Sequence, residues 1–180
     1  MIELPIFNLD NSLAWKGIVV HHSATPDGKL NDWAGIKKFH TSYRLDGDII
    51  PEDKALKLIW EGNKKVVKPW ADVAYHFGLE RVGENLQVMT GRSLSVVGAH
   101  AVGFNHTHIG VCIIGDFDKV APVPDVWESA IKLVRGIMYA FRLSSQSVLG
   151  HRETFPLRGV PVEKTCPGTA FDLVKFREGL

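Results

Sequence analysis

Apolar and polar residues recur with a period that changes from segment to segment. Ile18 to Val20, inside GIVVHHSAT (17–25), is a β-branched run that reads as a strand. It delivers two adjacent histidines, His21 and His22, to a point where small hydroxylated residues break it. Trp33, Ile36, Phe39 and Tyr43 recur at three and four residues, the spacing of one buried helix face, with Asn31 or Asp32 placed to cap it. LDGD (45–48) marks a turn, and Pro51 opens a short helix within PEDKALKLIWEGNKK. Val73 to Leu79 reads as a second strand and Leu86 to Thr90 as a third, joined in a hairpin around Gly83 to Asn85.

From Gly91 to His108 no period holds, and glycine, histidine and hydroxyl residues predict a surface loop of the kind that carries binding groups. Ile109 to Ile114 is apolar throughout, which predicts a central strand buried on both faces. Pro122 to Pro124 precede Asp125, whose carboxylate, with Glu128, is placed to cap a helix carrying Trp127, Ile131, Val134, Met138 and Phe141 on one face. Ser147 to Leu149 predicts a short strand ending at Gly150 and His151, and Ala170 to Arg177 a last helix after a loop. There is no internal repeat or low-complexity tract.

Composition narrows the class. A chain of 180 residues, 45% hydrophobic and 23% charged, is one domain able to bury its own core, and a net charge of +1 excludes a nucleic-acid footprint. MIELPIFNLDN has two acids and no basic leader or long apolar run, so it predicts neither a signal peptide nor a membrane span, and the expectation is synthesis in the cytoplasm. Of two cysteines, Cys112 in VCII reads as a small core residue. Cys166 in KTCPG sits in a loop, where a thiolate ligand is the livelier reading and a disulfide is not required.

His21 or His22, His151 and Cys166 thus offer soft donors at strand ends and in loops. Two imidazoles and a thiolate suit zinc, and three protein ligands leave a position at which a water's pKa falls to about 7, a hydrolytic arrangement. Their spacing matches no compact structural zinc motif.

VVHHSAT, DVAYHFGLE, TGR, VGAHAVGFNHTHIGVCIIGDFD, VLGHRE and KTCPGTAFDL, in that order from residue 17 to about 174, resemble the type 2 N-acetylmuramoyl-L-alanine amidases, the class shared by phage lysozyme-like amidases and peptidoglycan recognition proteins. The resemblance implies an α/β single domain over 1–180 with a mixed central β-sheet flanked by helices, and no separate wall-binding domain. It implies a Zn2+ site of His21, His151 and Cys166, with Tyr75 and Lys164 as the catalytic pair. Adjacent strand residues face opposite sides, so His21 excludes His22 as a ligand of the same ion.

The implied reaction is hydrolysis of the amide between N-acetylmuramic acid and L-alanine, as a wall-lytic phage-type enzyme. The alternatives are a cytoplasmic amidase of soluble muropeptide recycling and a binding module without catalysis. The partner is peptidoglycan or a muropeptide, not nucleic acid or membrane, and the chain is expected to be a monomer.

Arg92, His100 and Asn105 resemble positions near the groove. The alternative for them is that they hold the long loop together. His76 and His22 read as hydrogen-bonded supports, and His106 and His108 as surface or loop residues. The segments Leu45–Lys68 and Arg152–Lys164 are longer than in minimal members and flank the presumed groove.

Overall fold

The computed structural model describes residues 12–25 and 32–180. The opening MIELPIFNLDN and the alternative cap Asn31 lie outside the described residues. A five-stranded sheet is built from β1 (Gly17–His22), β4 (Phe77–Val82), β5 (Asn85–Thr90), β6 (His108–Ile113) and β7 (Val148–Gly150), in the order β5-β4-β6-β1-β7. β4 runs parallel to β6, β6 to β1 and β1 to β7, while β4 and β5 form the antiparallel hairpin. The sheet is therefore mixed, and β6 lies at its middle as its apolar run predicts.

Strand alternation sorts the side chains. Ile18 and Val20 of β1, with Ile109, Val111 and Ile113 of β6, pack into the main core beneath α3 (Pro124–Phe141) and α5 (Leu173–Glu178). Leu133 and Ile137 of α3 are fully buried there, and truncating either to alanine costs about 2–5 kcal/mol. On the other face, Trp33 of α1 (Trp33–His40) forms a smaller cluster with Val73, Cys112 and Ile114. Trp33 packs closely on β4 because the strand has glycine there: a Cβ at Gly78 would stand 2.5 Å from the ring.

Several boundaries differ from expectation, each for a local reason. The second strand begins at Phe77, not Val73. The Val73 amide bonds the Asp72 carboxylate, the Ala74 amide bonds His40 Nδ1, and the Val73 carbonyl accepts from Arg92, so side chains take these groups at Val73 and Ala74, while Tyr75 and His76 already bond the backbone of Arg92, Gly91 and Gly110. Helix α1 stops at His40, leaving Tyr43 outside, as the Thr41 and Ser42 hydroxyls fold back onto the last-turn carbonyls of Lys37 and Lys38. Its cap is Asp32, which accepts from the Gly35 amide.

The capping box predicted for α3 does not form. Pro124 takes the first helical position after Val123, and Asp125 instead pairs with Arg81 of β4 at 2.6 Å. The buried face of α3 is also rotated from the predicted stripe: Ala130, Leu133, Val134 and Ile137 are buried, while Trp127, Ile131, Met138 and Phe141 flank them. Helix α5 starts at Leu173, later than Ala170, because Asp172 is its cap and Ala170 bonds the Phe117 carbonyl.

The long segment after α1 folds into a two-stranded ribbon, β2 (Arg44–Leu45) and β3 (Asp48–Ile49), and α2 (Glu52–Trp60). Asp46 and Gly47 make its turn with φ of 49° and 95°, the left-handed geometry that LDGD favours. Of α2 only Ala55 is buried. Among the described residues no helix is long and apolar enough to cross a membrane.

Candidate active site

The site lies on the α1 face, where β1 and β7 end side by side. His21, paired across the sheet with Cys112, is 1% exposed. Beyond His22 the chain leaves the sheet through Ala24 at φ 56°, and the Ser23 hydroxyl accepts from the Gly115 amide at 3.0 Å, which fastens the end of β1 to the end of β6. The small hydroxylated residues of HHSAT thus serve the turn. His151 follows Gly150 directly in a 3₁₀ turn, whose Glu153 carboxylate accepts from the Gly150 amide at 2.8 Å and pairs with Arg177.

Cys166 arrives on a loop that other side chains shape. Arg152 donates to the carbonyls of Thr165, Gly168 and Phe171. Asp118 accepts from the Thr165 hydroxyl and the Thr169 amide.

Those elements bring His21, His151 and Cys166 together, with one donor atom from each within 4.8 Å of the others. His21 Nδ1 lies 3.5 Å from Cys166 Sγ, and the ring centroids of His21 and His151 are 4.6 Å apart. Burial, with Lys164 and Arg158 nearby, pushes the His151 pKa down to about 4. Burial, with His100 and His151 beside it, lowers that of His21 well below the ordinary value. Both imidazoles are neutral at pH 7 and have lone pairs to give. Burial pushes the Cys166 thiol up to about 12, so without a cation it is a neutral S–H; a coordinated metal removes that proton. Two neutral imidazoles and a thiol facing one point fit the donor chemistry of zinc.

A cavity of about 500 Å³ opens over this point, lined also by Tyr75, Lys164, His40, Trp70, His100 and Asp118. Tyr75 lies with its ring 5.0 Å from that of His21. Burial, with Cys112 and Cys166 nearby, raises its pKa well above the ordinary value, so the phenol is neutral. Cys112 is fully buried, as read from the sequence, and both cysteines are free thiols. Lys164 is exposed at the rim.

The three weaker candidates separate. His100 lines the cavity and touches His21, with Nδ1 3.0 Å from His21 Nε2. Arg92 is spent on the carbonyls of Val73 and Val97, and Asn105 Oδ1 accepts from the amides of His100 and Ala101. Neither lines the cavity; the hydrogen bonds are those of residues that hold the loop. His76 is a support, as expected, accepting from the Gly110 amide and bonding the Val96 carbonyl.

Sequence reasoning missed His40, Trp70 and Asp118 as cavity walls. His40 lies two helical turns beyond Trp33 on the same face, which is the signal that could have found it. His22 Nδ1 accepts from the Phe117 amide, and the residue also lines the cavity. Its convergence with Asp116 and Asp118 has its groups committed, since Asp116 pairs with Lys119 at 2.7 Å and Asp118 holds the cysteine loop.

Residues 11–169 match the family model of N-acetylmuramoyl-L-alanine amidases. The endolysin of Enterobacteria phage T3 is 49% identical over 112 residues, covering 61% of this chain and 66% of that one. The endolysin of Enterobacteria phage K11 is 31% identical over 110 residues, 59% of this chain and 65% of that one. The chain thus spans just under two thirds of these relatives. Among solved structures, the Ph2119 endolysin from a Thermus scotoductus bacteriophage superposes with a TM-score of 0.60 at 18% identity, covering 98% of this chain and 91% of that one. Drosophila peptidoglycan recognition protein SD gives 0.60 at 19%, covering 96% and 86%. These likenesses show a shared fold, and the match through residues 11–169 shows that the chain belongs to the N-acetylmuramoyl-L-alanine amidase family.

Proposed function

We propose that this protein is a zinc-dependent peptidoglycan amidase that hydrolyses the bond between N-acetylmuramic acid and L-alanine. The observation that carries the reading is the convergence of His21, His151 and Cys166 at the floor of a cavity whose walls include Tyr75 and Lys164. In this reading those three residues hold the ion. Zinc bound there supplies Lewis acidity to the scissile carbonyl and makes water nucleophilic near neutral pH.

The chain's own groups do the rest. The water oxygen attacks the carbonyl carbon, the carbon–nitrogen bond breaks, and the proton given up by the water goes to the departing amine. Tyr75, a neutral phenol at the floor of the cavity, orients the water and relays that proton. Lys164 brings a compact positive charge to the carbonyl oxygen as it becomes an oxyanion.

Endolysin relatives favour a lytic enzyme, made in the cytoplasm and acting on the wall once released. The single domain carries the catalysis and works as a monomer. The test is metal analysis of protein purified without added zinc, with mass spectrometry of products from intact sacculi and from soluble muropeptides. Absence of zinc together with no restoration by added zinc would refute the metal reading. Cleavage of soluble fragments alone would replace lysis by recycling, and affinity without cleavage would leave a binding module.

A further inference from the structure

We infer that His100 is a positioning residue that fixes the tautomer of His21, so that the His21 Nδ1 lone pair faces His151 and Cys166; the inference rests on the zinc reading above for its purpose. The direction of each hydrogen bond can be worked out from the far end. His100 Nε2 lies 3.1 Å from the carbonyl oxygen of His108. A carbonyl only accepts, so Nε2 carries the proton. His100 is 7% exposed and its ring packs against those of His21, Tyr75 and His76, so a second proton would be an unpaired buried charge; the ring is neutral and its Nδ1 is bare. That bare nitrogen is the one 3.0 Å from His21 Nε2, which must therefore be the donor. His21 then has its proton on Nε2 and its lone pair on Nδ1, the atom that lies 3.5 Å from Cys166 Sγ.

One backbone carbonyl of β6 thus sets the orientation of a buried ring two imidazoles away. An imidazole that ligates a metal usually donates its other N–H to a carboxylate, carbonyl or water; here the acceptor is a second imidazole.

The surroundings are built for this ring. A Cβ at Gly98 or at Gly110 would stand 2.5 Å from His100 Cδ2, so the imidazole fits only because both positions are glycine. The His100 amide is held by Asn105 Oδ1 at 2.8 Å. His100 is 7% exposed, and neither ring nitrogen is left to bond a substrate.

The test begins with two-bond proton–nitrogen NMR correlations of the metal-free wild-type protein, which report which ring nitrogen of His21 is protonated. Protonation on Nε2 is expected; protonation on Nδ1 overturns the inference. Zinc affinity by competition with a chelator is then compared for the wild type, His100→Leu and His100→Asn. Asparagine keeps an acceptor near the place of Nδ1, and leucine does not. The expected result is affinity about 10–100-fold weaker in His100→Leu and within a few-fold of wild type in His100→Asn. Wild-type affinity in a folded leucine variant, or equal losses in both variants, overturns it. If the leucine variant does not fold, the NMR result and the asparagine variant decide. A wild-type protein that binds no zinc refutes the metal reading, while the NMR experiment still judges the tautomer.

Discussion

The Arg152 amide donates to the carbonyl of Cys166 at 2.7 Å, so the residue that follows one candidate ligand holds the residue that is another. The same arginine's guanidinium occupies three more carbonyls of the cysteine loop. Replacing Arg152 by methionine keeps the stem and strands those acceptors. A loss of about 1–3 kcal/mol in stability is expected, with zinc affinity falling about tenfold as Cys166 loses its fixed approach. Thermal melts and chelator competition measure the two effects; a variant that loses neither would show that the loop is held from elsewhere.

His21 and His22 make a matched pair of substitutions. His21→Ala and Cys166→Ser are expected to abolish zinc binding and amide cleavage. His22→Asn, which retains an acceptor for the Phe117 amide, is expected to keep the metal. Elemental analysis of the three purified variants decides this, and loss of zinc from His22→Asn alone would overturn the ligand set.

Tyr75→Phe and Lys164→Ala are expected to lower kcat by about 10²-fold or more while leaving zinc content unchanged. Steady-state assays on sacculi with parallel metal analysis separate chemistry from metal loss. Unchanged turnover in Lys164→Ala would remove the oxyanion role from that residue.

Stability should fall as the solution is acidified, for a reason that can be signed. Burial lowers the pKa of His76 to about 4, with Arg92 contributing, from an ordinary 6.5. Between those values the unfolded chain takes up a proton that the folded protein does not, so the contribution is complete above pH 6.5 and is lost as pH drops toward 4. His40 and His151, both near 4, act in the same direction. A melting temperature of the metal-free protein that stays level between about pH 7 and about pH 5 would contradict this assignment.

Two glycines under the α1 face test packing against chemistry. Alanine at Gly78 meets the Trp33 ring, and alanine at Gly110 meets His100, each at 2.5 Å. Both are expected to cost about 1–3 kcal/mol. Only Gly110→Ala is expected to weaken zinc as well, which a joint measurement of melting and metal affinity reveals.

The sheet was largely legible in the sequence because its strands are apolar runs with clear ends, as IGVCII shows. The convergence of His21, His151 and Cys166 was legible through motif order, not spacing, since the three lie far apart in the chain. What could not be read was whatever depends on two distant segments meeting. VAYH alternates like a strand, yet Asp72, His40 and Arg92 claim the backbone groups of Val73 and the Ala74 amide. The stripe on α3 has the right period, but which of its sides turns inward is decided by the sheet beneath it. Arg92 and Asn105 sit in a loop whose polarity suggests binding, and their hydrogen bonds go to that loop's own backbone.

β1 has a consequence in time. Among the described residues it is the first strand to leave the ribosome, and both its neighbours, β6 and β7, follow it by more than 80 residues. The strand made earliest is therefore the one that must wait longest for its partners, a topology that folds slowly. Cys166 emerges later still. His21, made with the first of these strands, therefore cannot meet its two partners until Cys166, the last of the three, has been made.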